Sequence, residues 1–199
     1  MTKPALVTME MVSRTTNAAQ QLKLLKQVAD VNDTDESWTL MRLSSRPALV
    51  QLAIEKGADV NKRTPAKAGS MTALIEIAKS ITGDREAGQQ KSLQLLIDAK
   101  AELDARDADG QTALFHAVLV ENLRFAKILI AAGADPNVPN SDGNSVLDDL
   151  LTWGRLDDKA AAKLIKVLLA SKKWKKPVLE RAKARATANG WPASAKLIG

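Results

Sequence analysis

The sequence predicts an all-α solenoid of antiparallel helix pairs, and three observations predict it. A five-residue phrase recurs, as VADVN at Val28–Asn32, GADVN at Gly57–Asn61, KAELD at Lys100–Asp104 and GADPN at Gly133–Asn137. An apolar pair stands just upstream each time: Leu24-Leu25, Ala53-Ile54, Leu96-Ile97 and Leu129-Ile130. In the clearest copy, Asp107–Pro139, a DG turn leads into two short amphipathic helical patterns before the phrase closes it. A period near 33 residues with this punctuation marks stacked supersecondary units, each too thin to bury a core alone.

The elements follow in order. Residues 1–16 show no periodicity and are expected to be a flexible lead-in. Asn17–Ala29 is helical, with Leu22, Leu25 and Val28 on one face, and with VADVN it makes an N-terminal half-repeat over 17–32. Residues 33–63 form the first fuller repeat, with a turn at Asp33–Ser37, a helix WTLMRL opened by Trp38, and a second helix PALVQLAIE. Only 29 positions separate Asn32 from Asn61, so the link between its helices is tight. Residues 64–106 form a repeat about ten residues longer than the period, the excess lying in Thr64–Ser70 and Ser80–Gln90. Residues 107–139 and 140–176 are the third and fourth repeats, the last with about six extra residues between its helices. Residues 177–199 close the array as a C-terminal cap, Pro177 opening a helix and Gly190 and Pro192 dividing the pair.

Composition agrees and narrows the chemistry. Apolar residues make up 45% of the 199, but aromatics only 3%, with no Tyr, so the core is Leu, Ile, Val and Ala in thin, close-packed helices. Zero Cys excludes disulfides and thiolate zinc sites. No apolar run approaches the roughly 18 residues a membrane span needs, and Met1–Gln20 has no apolar signal core. The expectation is a cytoplasmic protein, or a periplasmic or secreted one if a leader precedes Met1. Charge is polarised: residues 159–199 carry eleven Lys and Arg against one acid, whereas 1–158 carry eighteen against twenty-two.

With its DxxGxTxLxxA opening, apolar helix and GADxN close, Asp107–Pro139 resembles an ankyrin repeat, and the resemblance extends over about Asn17–Ile198. It implies helix pairs with projecting β-turn or hairpin fingers. It also implies partner contacts from the finger before each inner helix and from that helix's last turn. Those positions are Met71 in repeat two, Ala108, Asp109, Gln111, Leu119 and Val120 in repeat three, and Ser141, Asp142, Asn144, Thr152 and Trp153 in repeat four. Trp153 and Leu119 are apolar where a helix end is normally wet, and Trp is the residue most enriched in hot spots. The family's inner-helix Thr caps the helix, as Thr112 and Thr72 would here. Its following His bonds the neighbouring finger, but Phe115, Ile75, Asp148 and Met41 take that place. Packing is expected to replace those bonds.

Other constellations are weaker. Asp107, Asp109 and Gly110 echo a calcium loop, as do Asp142 and Gly143, but the register puts Ala105 or Val138 at the first ligand position. Turn chemistry accounts for both. His116, the lone His, has no nucleophile motif beside it and is expected to be a surface or inter-repeat residue. Asp148 and Asp149 are adjacent on a helix and so cannot face one another as an acid–base pair. No phosphate loop, GxSxG, HExxH or CxxC occurs, so neither enzyme activity nor a cofactor or metal is expected. Lys172, Lys173, Lys175, Lys176, Arg181, Lys183 and Arg185 form a basic end that can attract an acidic partner, with nucleic acid a weaker alternative. The expected function is stoichiometric binding of one dedicated protein by a monomer, of inhibitor or immunity type. The alternative is a scaffold or secreted effector that bridges two partners.

Overall fold

The computed structural model describes residues 8–32, 40, 43, 45–80, 86–152 and 156–199, and every regular element among them is helical. The Asp33–Ser37 turn, Trp38, Met41 and Trp153 lie outside the described residues. The chain divides into two compact units, Met1–Ile77 with Thr82–Glu102, and Ala78–Ile81 with Leu103–Gly199.

In the first unit, α1 (Met9–Arg14), α2 (Ala18–Gln27) and α3 (Pro47–Glu55) precede a 3-10 turn at Ala66–Ala68. The start of α4 (Ala73–Lys79) and α5 (Glu86–Asp98) follow. Helices α2, α3 and α5 pack in succession, and Leu25, Val50, Ala53, Leu93 and Leu96 on their facing stripes have no exposed surface. Burying a side chain of that size contributes roughly 1.5–3 kcal/mol. Asn17 starts α2 by accepting the Gln20 amide at 3.0 Å, and Pro47 opens α3 with its preset φ.

Residues 9–14 carry more structure than their lack of periodicity implies. Val12 is fully buried against α2, and the buried Gln21 amide donates to the Val12 carbonyl at 3.0 Å. Gln21 in turn accepts from Arg46, whose other amino group reaches Thr16 O. A six-residue helix held by one apolar anchor and one buried Gln has no repeating pattern to read. The Thr64–Ser70 insertion is likewise a closed loop: buried Thr64 pairs with Met71 in both directions, and Gly69 at φ 92° makes the return.

The second unit holds three helix pairs: α6 (Ala113–Leu119) with α7 (Leu123–Ala132), α8 (Val146–Thr152) with α9 (Asp158–Leu169), and α10 (Lys176–Ala188) with α11 (Pro192–Ile198). The first members stack on one another in one row and the second members in another. Caps set the starts. Thr112 accepts from Phe115 N at 3.2 Å, Asn122 from Phe125 N at 3.0 Å and Asp157 from Ala160 N at 2.7 Å. Before α8, Ser145 and Asp148 exchange hydrogen bonds as a capping box. The Asp158 carboxylate takes the Ala193 and Ser194 amides, both at 2.8 Å, and so seats α11.

The recurring phrase proves to be a stacking device. In the first unit, the side-chain oxygen of Asn32 accepts the Asp59 amide, and that of Asn61 accepts the Glu102 amide, both at 2.8 Å. In the second, Asp104 accepts from Asp135 N at 2.8 Å and Asn137 from Lys175 N at 2.9 Å. The last residue of each phrase thus holds the backbone of the next repeat. The Asp two positions earlier folds the local turn, as Asp59 does for Asn61 N and Asp135 for Asn137 N. Each such bond contributes about 1 kcal/mol.

Candidate functional site

Two successive turns of the second unit share one geometry. Asp107 Oδ1 accepts the amides of Asp109 (3.0 Å) and Gln111 (2.8 Å), and Asn140 Oδ1 accepts those of Asp142 (3.0 Å) and Asn144 (2.9 Å). Nine residues on, each turn is tied to its own helix: Asp107 Oδ2 to His116 Nε2 at 2.7 Å, and Asn140 Nδ2 to Asp149 Oδ2 at 3.1 Å. An ionised carboxylate only accepts, so His116 Nε2 carries the proton of the first pair. The turns also touch: Ser141 N donates to Asp109 O at 2.9 Å, and a Cβ at Gly110 would lie 2.7 Å from Ser141 N.

These ties frame a cleft of about 520 Å³. Its floor is His116, Asn140 and Asp149, its apolar wall Leu119, Val120 and Leu150, and its rim Asp109, Gln111, Glu121 and Asp142, with Lys79 and Leu156 completing the lining. Asp149 is 4% exposed, and its Oδ1 has no hydrogen-bond partner among the described residues. Burial, joined by the charges of Asp148 and Asp142, raises its pKa above the ordinary carboxylate value, although the Asn144 amide pulls the other way.

Of the positions the sequence singles out, Asp109, Gln111, Leu119, Val120 and Asp142 converge on this cleft. Leu119 is among the few large apolar residues left open, at 36%. Ala108 and Ser141 are exposed on the turns, and Asn144 is half-buried beside Asp149. Met71, in the first unit, is half-buried with its side chain beside Gly69. Thr152 is exposed, but its hydroxyl is engaged by the Asp148 carbonyl and Arg185. His116, expected at a surface or between repeats, is buried on the cleft floor beside Asn140 and Asp149 of the following repeat, its ring tied to Asp107. Asp149 as a cleft floor has only its acidic character as a sequence signal. Its orphaned oxygen depends on Asn140 claiming the other.

Relatives agree with this architecture. A sequence profile described as "Ankyrin repeats (3 copies)" matches residues 40–140 and again 78–173. The chain belongs to the ankyrin-repeat family. An ankyrin repeat domain from Acinetobacter baumannii superposes with a TM-score of 0.71 over 96% of this chain and 95% of that one, at 22% identity. Ankyrin repeat and SOCS box protein 6 of Homo sapiens is 32% identical over 110 residues, 52% of this chain and 24% of that protein. An ADP-ribosylation factor GTPase-activating protein of Arabidopsis thaliana is 38% identical over 72 residues, 36% of this chain and 9% of that protein. The chain thus spans at most about a quarter of the length of these two relatives. Ankyrin arrays are protein-interaction modules that bind through extended surfaces, and among the described residues no helix is long and apolar enough to cross a membrane.

Within the ankyrin frame, the positions expected to lack the family His behave in two ways. Phe115 and Ile75 are 1% exposed and replace it by packing. Asp148 replaces it with charge. Fully buried, it accepts from Ser145 N (2.9 Å), Ser145 Oγ (2.7 Å) and Arg181 Nε (2.8 Å), with Arg185 Nε 3.7 Å away. Burial pushes its pKa up, but the bonds from Arg181 and Ser145 outweigh that and hold it below the ordinary range.

The same contacts engage part of the basic patch. Arg181 and Arg185 are committed to Asp148, and Lys173 and Lys183 donate to the carbonyls of Gly133 and Gly199. The exposed Lys176 pairs loosely with Glu180 at 3.7 Å. Cations engaged by their own chain are weaker counterions for phosphate. Trp174 caps this end, its indole donating to Leu168 O at 2.9 Å.

Proposed function

We propose that this ankyrin-repeat chain acts stoichiometrically, covering the working surface of one dedicated protein partner as an inhibitor or immunity protein does. The observation that carries this reading is the convergence of five expected contact positions on one cleft, with the open Leu119 at its wall. An apolar anchor ringed by polar groups is the layout of an interface hot spot. The cleft's own polar network is tied to the fold rather than to a reacting group, since His116 Nε2 is held by Asp107. The partner surface is masked by occupation, so no chemistry is required of the array.

Affinity capture of the tagged full chain from lysate of its native source, read by quantitative mass spectrometry, tests the proposal. The expected result is one dominant protein at near one-to-one, retained at moderate salt. Nucleic acid, or many weak partners lost as salt rises, would shift the working surface to the lysines of the C-terminal cap.

A further inference from the structure

The geometry points to an arginine side chain of the bound protein as the occupant of the second unit's cleft, its guanidinium meeting Asp149. This rests on the protein-binding reading above and names the chemistry of the contact. Asp149 Oδ1 is a buried acceptor without a partner among the described residues, and such a group is costly unless something donates to it. Asn140 already fills Oδ2, the His116 proton is spent on Asp107, and the Asn144 amide beside the carboxylate makes no hydrogen bond to Oδ1. Among the described residues no donor meets Oδ1, which leaves it open to one from a bound partner.

Charge selects a cation. Asp109, Glu121 and Asp142 stand at the rim above Asp149, against Lys79 as the ammonium of the lining. Shape selects arginine over a compact cation. The apolar wall of Leu119, Val120 and Leu150 accepts an aliphatic stem. The forked guanidinium reaches Asp149 Oδ1 while a second N–H meets a rim carboxylate, which a point-charge ammonium does less well. The volume of about 520 Å³ exceeds what one side chain fills and leaves room for residues flanking the arginine.

The test uses N-acetyl-arginine methylamide on the isotope-labelled full chain, followed by NMR at millimolar probe. N-acetyl-citrulline methylamide, the neutral isostere, is the control. Saturable shifts are expected at Asn140, Asn144 and Asp149, with the citrulline probe at least five-fold weaker. D149N should abolish them with the spectrum otherwise intact. D109N, at an exposed rim position, should weaken the arginine probe about two-fold or more without touching the fold. Equal shifts from both probes, shifts that survive D149N, or none at these residues would overturn the assignment. A one-to-one protein recovered by capture alongside any of those results would leave the protein-binding reading standing and remove only the arginine.

Discussion

Replacing Arg181 with methionine is expected to destabilise the second unit by about 2–3 kcal/mol, read from denaturant midpoints. Asp148 has no exposed surface, and Arg181 supplies two of its hydrogen bonds, at 2.8 and 2.5 Å. Removing one member of a buried pair usually costs about 3–5 kcal/mol. The expectation sits below that because Ser145 and Arg185 remain and the Arg181 side chain is itself 45% exposed. The loss should be coupled: in a D148A background, R181M should cost at least about 1 kcal/mol less. The pH dependence has a definite sign. The folded-state pKa of Asp148 is depressed, so its contribution is complete above the unfolded value near 3.9 and is lost as pH falls through the lower folded value. R181M should therefore flatten the acid limb of the stability curve below about pH 4. An acid limb and midpoint equal to wild type would show that the pair contributes nothing.

Gly110→Ala is expected to cost about 2–3 kcal/mol, through two effects. The residue sits at φ 74°, where a Cβ is strained, and that Cβ would lie 2.5 Å from Arg106 Nη2 and 2.7 Å from Ser141 N. The arginine end can swing away, but the backbone amide is fixed by its bond to Asp109 O. Gly143 is the internal control, at φ 81° with nothing within 4 Å of its would-be Cβ. Gly143→Ala should show strain alone, about 1–2 kcal/mol. Equal losses at the two positions would mean that the close approach of the two turns carries no energy.

Much of this fold is written in its period. The GADxN phrase and its upstream apolar pair announce where each helix pair ends, and Thr112 announces where a helix starts. What the phrase does is not legible in it. That Asn61 holds Glu102 or Asn137 holds Lys175 depends on a neighbour some forty residues away, set by stacking. The short α1 leaves no signal because one buried Val12 makes no pattern. At the site, the family resemblance singled out Asp109, Gln111, Leu119, Val120 and Asp142, and the stacking of the two turns brings them to one cleft. The fate of each charge was not readable. Arg181 and Arg185 look like a solvated basic run until Asp148, 33 residues before the first of them, is found fully buried beneath them. Asp149, its sequence neighbour, points to the cleft instead, as the roughly 100° step of a helix requires.

The cleft as the place where a partner is held is the central claim, and side-by-side capture by three forms of the chain tests it most directly. Wild type is compared with Asp109→Lys/Leu119→Asp, which reverses the rim and spoils the wall, and with Lys172→Glu/Lys175→Glu, which reverses exposed charge at the far cap. The expected result is loss of the one-to-one protein by more than ten-fold in the first variant and at most two-fold loss in the second. Recovery that survives the cleft variant and collapses with the lysine variant would contradict the account and move the binding surface to the C-terminal cap.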